Sequence, residues 1–208
     1  MARLVRVYRR SLVARLLLVI IVAALGVAGI SALAKDRTAP FNQPPRSVRT
    51  LAYDVKHTTL QLRLDFDKQA LDGIATHLLA PFDDLDRIQF DIGDMTIVAV
   101  AIARDDKEEP QQVEFDKTDD KLIVHPASPL LAGKDVIVKI AYRVENPKLG
   151  AHFVTPDKRE PTQPRMMWTQ GEPEYARYWY PCSDTPNERS TFAMQIQAPG
   201  DYYVLSKG

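Results

Sequence analysis

The sequence has very little cysteine, and this limits both how it folds and what chemistry it performs. Cys182 is the only cysteine among 208 residues, so no internal disulfide can form and the fold depends on its core. The neighbours of Cys182, in Tyr-Pro-Cys-Ser-Asp, include no His or Lys that would lower its thiol pKa, and unpaired cysteines are commonly buried. We therefore predict a packed, unreactive thiol and not a nucleophile.

The chain also lacks the short motifs of common enzymes. It contains no His-Glu-x-x-His, no Gly-x-Ser-x-Gly and no Gly-rich phosphate loop. Its four histidines are scattered along the sequence: His57, His77, His125 and His152. By its own residues, the sequence predicts neither a metal site nor a complete catalytic apparatus.

Charge is distributed unevenly, although the formal net charge is zero. Positions 1–34 hold five Arg and no acidic residue, which leaves 22 basic against 27 acidic residues in the remainder. An acidic body of this kind does not provide the basic stripe that nucleic-acid binding requires. Nucleic acid is therefore excluded as a partner.

The amino-terminal end has the pattern of an export signal. Residues 16–34 form an uncharged run that would span about 28 Å as a helix, close to the thickness of a bilayer. The preceding Arg residues predict a cytoplasmic amino terminus. Residues 1–34 are thus interpreted as a basic stretch plus a signal anchor. This makes the chain a single-pass protein of the inner membrane, with its body in the periplasm or outside.

A second interpretation of the same end stays open. Ala32-Leu33-Ala34 fits a signal-peptidase site, and cleavage after Ala34 would release the body into the periplasm. The apolar run is longer than the usual signal-peptide core, and this length favours an uncleaved anchor.

The body is predicted to be all-β. Residues 35–50 contain Pro40, Pro44 and Pro45 and are interpreted as a linker, and 51–208 as one β domain. Alternating or short apolar runs, separated by turn residues, predict strands with no long helix between them. These runs are Leu60–Phe66, Gly73–Leu79, Arg87–Ile92, Met95–Ala103, Gln111–Phe115, Lys121–His125, Lys134–Val144, Thr191–Ala198 and Asp201–Ser206. The spacing predicts a twisted antiparallel β-sandwich or saddle.

The part of the body after Val144 has a different residue pattern. Asn146–Pro164 shows no sustained periodicity and is predicted to be an ordered loop or lid. The following segment mixes aromatic residues with Gln170, Glu172 and Asp184. A loop carboxylate near aromatic surface suits a cationic amine. The alternative is that the aromatics are core, Arg177 and Asp184 form a structural ion pair, and the glutamates are merely solvated.

This segment carries a specific resemblance. The matching residues are Thr169-Gln170-x-Glu172, Ala176-Arg177, Trp179-Tyr180-Pro181-Cys182-x-Asp184-x-Pro186 and Thr191-Phe192, with Tyr53-Asp54-Val55, Leu71-Asp72-Gly73, Ile140-Ala141-Tyr142 and residues 204–208 elsewhere. Together they resemble the amino-terminal β-saddle domain of zinc metallo-aminopeptidases of the aminopeptidase N type. The resemblance implies an enzyme that removes single residues from free peptide amino termini. It also implies that Glu172 binds the substrate's α-ammonium, that Gln170 lines the pocket for the first side chain, and that the Trp179–Pro186 cluster is structural.

The family's zinc helix, substrate strand and transition-state tyrosine have no counterpart here. The resemblance therefore implies zinc in a following catalytic domain, no cofactor in this chain, and no activity of the chain alone. The expected partners are peptide amino termini through the longer enzyme, the membrane through the amino-terminal helix, and the missing peptidase domain. Because relatives continue for several strands, the chain is expected to end inside its own β domain. The alternative is a non-catalytic β-saddle interaction or scaffold module.

Overall fold

The computed structural model describes residues 50–206, and this part of the chain is essentially all-β. In chain order its strands are β1 (Tyr53–Asp65), β2 (Ala70–Pro81), β3 (Ile88–Asp91), β4 (Thr96–Ala103), β5 (Gln111–Gln112), β6 (Glu114–Lys117), β7 (Lys121–His125), β8 (Val136–Glu145), β9 (Ala151–Val154), β10 (Met166–Thr169) and β11 (Thr191–Gln197). One 3-10 turn, Ala176–Tyr178, completes the regular structure of the described residues.

The predicted membrane segment, residues 16–34, lies outside the described residues. Within residues 50–206, no helix has the length and apolar character needed to cross a bilayer.

The largest sheet has six strands in the order β11-β1-β2-β8-β4-β5. Its buried face follows the period of two that a strand requires. In β8, Val136, Val138, Ile140, Tyr142 and Val144 are buried and the residues between them are not. The alternation that predicts these strands therefore also sets which face of the sheet points into the core.

A three-stranded sheet, β3-β7-β6, supplies the other side of that core. Phe90 of β3 lies between two residues of the large sheet, with ring centroids 5.9 Å from Tyr53 and 5.0 Å from His77. The Tyr53 hydroxyl also donates a hydrogen bond to the Gln89 carbonyl at 2.6 Å. Apolar residues from both sheets form one buried cluster, so the two sheets share a single core.

The predicted strand Gln111–Phe115 is divided between the two sheets. β5 pairs with β4 in the large sheet, whereas β6 pairs with β7 in the small one. The chain changes sheet at Val113, whose N–H donates to the Val100 carbonyl at 3.0 Å. A short strand that switches sheets forms a corner, and periodicity alone does not reveal where it bends.

Three further predictions require correction. The large sheet is not entirely antiparallel, because β11 runs parallel to β1 after the long connection that follows β8. The region predicted as loop or lid contains β9, which pairs with β10 in a separate two-stranded sheet. Asp201–Ser206 forms no strand: Tyr202 instead stacks on Phe66, with centroids 4.1 Å apart. A strand needs a partner, and no described strand pairs with this segment.

Candidate functional site

Gln170 and Glu172 lie on one short loop directly after β10. The ladder between β9 and β10 ends with the pair Ala151 and Thr169. One residue further on, the Gln170 N–H donates to the Gly150 carbonyl at 2.7 Å. Both candidate side chains are exposed. The structure thus places the two predicted binding residues together on the surface, at the end of a small sheet.

The loop closes on itself before the chain continues. The Tyr175 N–H donates to the Gly171 carbonyl at 2.8 Å, and the 3-10 turn Ala176–Tyr178 follows at once. The peptide bond between Glu172 and Pro173 is cis. Glu172 therefore lies near the tip of a closed loop that starts at Gln170 and ends at Tyr175. We call these six residues the recognition loop, after the binding role predicted for Gln170 and Glu172.

The two glutamates of the recognition loop differ in their contacts. Glu174 Oε2 lies 3.3 Å from Arg177 Nη2 and forms an ion pair. Glu172 has no hydrogen bond or ion pair with any other described residue. The interpretation of both glutamates as solvated agrees with their exposure, but only the Glu172 carboxylate is left available to a ligand.

Arg177 anchors the far side of the recognition loop. Its Nε lies 2.9 Å from Asp184 Oδ2, which is the structural ion pair considered from the sequence. Its Nη1 lies 3.9 Å from Oδ1 of Asp91, a fully buried carboxylate that also pairs with Lys121. Asp91 Oδ2 accepts the Asp184 N–H at 2.9 Å. This cluster connects the recognition loop to β3 and β7. The contribution of Asp91 and Lys121 to it was not predicted from the sequence.

Cys182 lies beside the same cluster. It exchanges two backbone hydrogen bonds with Asp91, at 2.7 and 3.1 Å, and its side chain is buried. Burial raises the pKa of the Cys182 thiol well above its ordinary value, so the thiolate is disfavoured. The prediction of a packed cysteine is confirmed.

His77 joins this region to the large sheet. Its Nε2 lies 3.0 Å from the Pro181 carbonyl and its Nδ1 lies 3.0 Å from Thr58 Oγ1. A carbonyl only accepts, so Nε2 carries the proton and Nδ1 accepts from the threonine hydroxyl. Burial lowers the pKa of His77 to about 4, and the ring is neutral at physiological pH.

The aromatic residues of the segment divide into two groups. Trp179 is buried in the core, and its ring lies 4.6 Å from that of Tyr180. Trp168 and Tyr175 are exposed, and Trp168 stacks on His152 at 4.2 Å. Trp179, which follows the recognition loop, is therefore core, whereas Trp168 before the loop and Tyr175 at its end lie on the surface.

The described residues do not fit a zinc ion. Within residues 50–206, no three side chains of the His, Cys, Asp and Glu types are grouped so that they could hold a metal. The buried carboxylates of Asp91 and Asp184 are already engaged by Lys121 and Arg177.

Comparison with known protein families identifies the class of protein to which this fold belongs. Residues 50–208 match the peptidase M1 N-terminal domain, and the chain belongs to the peptidase M1 family. The expected relationship to zinc metallo-aminopeptidases is confirmed, and the matched part is the family's N-terminal domain.

Particular relatives narrow this class. The chain is similar to leucine aminopeptidase 2 of Candida glabrata, at 26% identity over 188 residues that cover 81% of this chain and 27% of that protein. It is also similar to leucine aminopeptidase 2 of Saccharomyces cerevisiae, at 25% identity over 177 residues, with 80% and 26% covered. The chain thus spans about a quarter of the length of these curated relatives.

Solved structures show the same fold. A mutant M1 zinc metallopeptidase from Deinococcus radiodurans, bound to a Tyr-Ser-Ala substrate, superposes with a TM-score of 0.54 at 24% identity and covers 72% of this chain and 33% of that one. Native yeast LTA4 hydrolase gives a TM-score of 0.60 at 22% identity, with 78% and 27% covered.

Proposed function

We propose that this chain is the amino-terminal substrate-recognition part of an exported, membrane-associated zinc aminopeptidase that removes single residues from free peptide amino termini. In this proposal the zinc belongs to a following catalytic domain, and the chain is inactive alone. Membership of the M1 family and the names of the relatives support an aminopeptidase activity.

The proposal rests mainly on the exposure and the contacts of the Glu172 carboxylate. It is exposed and has no partner among the described residues, although its loop is closed by a backbone hydrogen bond and anchored by Arg177. A free carboxylate held on an ordered loop can accept charge-assisted hydrogen bonds from an α-ammonium group. The Gln170 amide, on the same loop, offers both a donor and an acceptor to the first residue of the peptide.

The localisation is part of the proposal. Residues 1–34 anchor the protein in the inner membrane and leave the body in the periplasm, as the Arg-rich start and the uncharged run 16–34 indicate. Mass measurement on the membrane fraction tests this. An intact amino terminus supports the anchor, and a product that starts at Lys35 supports cleavage and release.

The binding role is tested by Glu172→Gln in the product of the complete reading frame, with Glu174→Gln as the matched control. Hydrogen bonds to charged groups contribute about 1.5–3 kcal/mol, so KM for a free-amine aminoacyl substrate should rise about ten- to a hundredfold in Glu172→Gln. Glu174→Gln changes a residue on the same loop that already pairs with Arg177, and its KM should stay near that of the wild type. Unchanged kinetics in Glu172→Gln would make Glu172 an ordinary solvated residue.

Inactivity of the isolated chain has a separate test. Residues 35–208 should bind no stoichiometric zinc and should not hydrolyse an aminoacyl chromogenic substrate. Zinc or turnover in that segment would contradict the proposal. A native product with neither property, from a frame that encodes no zinc helix, would instead favour the interaction or scaffold module.

A further inference from the structure

Gly150 forms an unusual turn immediately before β9. Its φ is +74°, and the Ala151 N–H donates to the Leu149 carbonyl at 2.8 Å, which closes a three-residue γ-turn. Side chains rarely tolerate this φ, whereas glycine adopts it readily. Ala151, the next residue, is fully buried; it is the first residue of β9 and pairs with Thr169, the last residue of β10. The turn is therefore fixed on its far side by the buried end of a sheet.

Both ends of the recognition loop rest on Gly150. At the start of the loop, the Gly150 carbonyl accepts the Gln170 N–H at 2.7 Å. At its end, the Tyr175 carbonyl oxygen lies so close that a Cβ on residue 150 would be 2.2 Å from it. Real Cβ atoms do not approach backbone that closely, so the loop occupies this position only because residue 150 has no side chain.

The other neighbours of Gly150 belong to well-packed surroundings. A Cβ there would also lie 3.0 Å from Trp179 Cδ1 and 3.1 Å from Tyr178 Cβ. Trp179 is buried in the core, and the Tyr178 ring packs against Gly93. The end of the exposed loop is held by two backbone hydrogen bonds, from the Tyr175 N–H to the Gly171 carbonyl at 2.8 Å and from the Tyr178 N–H to the Tyr175 carbonyl at 3.3 Å, and the Tyr175 side chain is exposed. A side chain at position 150 would thus displace the loop more readily than the core.

We propose that Gly150 is a positioning residue for amine recognition. Its missing side chain and its positive φ set the place of the recognition loop, and hence where Gln170 and Glu172 meet the substrate. The inference rests on the proposed function, in which Glu172 contacts the substrate's α-ammonium. Gly150 itself contacts no substrate and acts through the loop that it supports.

The test is Gly150→Ala in the product of the complete reading frame, with Gly133→Ala as the matched control. Gly133 also has a positive φ, +66°, but nothing lies within 4 Å of a Cβ built there. The control therefore carries the same kind of backbone strain without the collision. Displacing the loop should weaken the charge-assisted hydrogen bond from the α-ammonium to Glu172, so Gly150→Ala should lower kcat/KM for a free-amine substrate about ten- to a hundredfold, mainly through KM. Gly133→Ala should leave KM unchanged.

A double-mutant cycle separates positioning from a general structural role. If Gly150 acts through Glu172, adding Gly150→Ala to Glu172→Gln should cause little further loss. The inference would be overturned if the double mutant lost kcat/KM by the full product of the two single-mutant factors. A Gly150→Ala enzyme with wild-type KM would also overturn it. A Glu172→Gln enzyme with wild-type kinetics would instead show that the proposed function itself fails, and the inference would fail with it.

Amide hydrogen exchange on the unmodified protein gives an answer even if Gly150→Ala does not fold. The Gln170 and Tyr175 amides should exchange slowly, because they donate to the Gly150 and Gly171 carbonyls. The amides of Glu172 and Glu174 have no such acceptor within residues 50–206 and should exchange quickly. A Gln170 amide that exchanges as fast as that of Glu174 would show that Gly150 does not hold the loop, and this would overturn the inference.

Discussion

The two-sheet core and the segment 146–190 are held in place by different forces. In the core, apolar side chains from both sheets alternate along their strands and bury one another. In the segment, few side chains are fully buried, and its position depends on the Arg177 cluster, on backbone hydrogen bonds and on Gly150. Stability therefore resides mainly in the core. The position of the recognition loop depends on a small number of polar contacts that can be changed separately.

The largest effect should come from a cavity in the core. Phe90→Ala removes a fully buried ring that packs against Tyr53 and His77, and such changes cost about 4 kcal/mol. The free energy of unfolding in urea measures this loss. Val98→Ala is the control: Val98 is 66% exposed on β4 of the large sheet, and the change should cost about 0.5 kcal/mol or less. Equal losses in the two variants would contradict a shared core between the sheets.

A smaller loss is expected from the ionic cluster that holds the segment. Arg177→Met leaves the buried carboxylates of Asp91 and Asp184 with one partner fewer, and breaking a buried pair costs about 3 kcal/mol. Arg143→Met is the matched control, because Arg143 pairs with the exposed carboxylates of Asp72 and Glu145; surface pairs of this kind contribute about 1 kcal/mol or less. Urea unfolding compares the two variants. A control as destabilised as Arg177→Met would mean that the burial of the cluster has no energetic effect.

The core was largely predictable from sequence because its signal is local. Alternation along β2, β4, β7 and β8 places those strands within three residues of their observed bounds. The alternating run of the first strand gives its end within one residue, but β1 begins at Tyr53, seven residues before the predicted start at Leu60. β9 and β10 were missed because each has four residues, a mixed composition, and a partner across an intervening loop. Asp201–Ser206 has the composition of a strand, but composition does not supply the neighbour that a strand needs.

The recognition loop was predictable only in part. Its motif singled out Gln170 and Glu172, and the aromatic-rich composition singled out the segment. Asp91 and Gly150 were missed, because their roles depend on groups far away in sequence: Asp91 accepts a hydrogen bond from Asp184, 93 positions later. The one available signal was a charged residue at the end of the apolar strand β3. Nothing in the sequence around Gly150 indicates a close approach by the Tyr175 carbonyl.

The smallest effect concerns His77, which links the two regions through Thr58 and Pro181. In the unfolded chain His77 takes up a proton near pH 6.5, whereas in the folded protein burial delays protonation until about pH 4. Between these values the unfolded state binds more protons, so the contribution of neutral His77 is complete above pH 6.5 and is lost as the pH falls towards 4. At pH 5 the loss should be about 2 kcal/mol relative to pH 8.

His77→Gln separates the contribution of His77 to the free energy of unfolding from that of the titrating carboxylates. Gln has no proton to gain in this range, and its amide can still donate towards Pro181. Urea unfolding of both proteins at pH 8, 6.5 and 5 should show the wild type losing about 2 kcal/mol more than the variant. Parallel stability curves would mean that the His77 ring is hydrated. In that case the contact between His77 and Pro181 would not hold the segment 146–190 on the large sheet, and the recognition loop would depend on its other contacts.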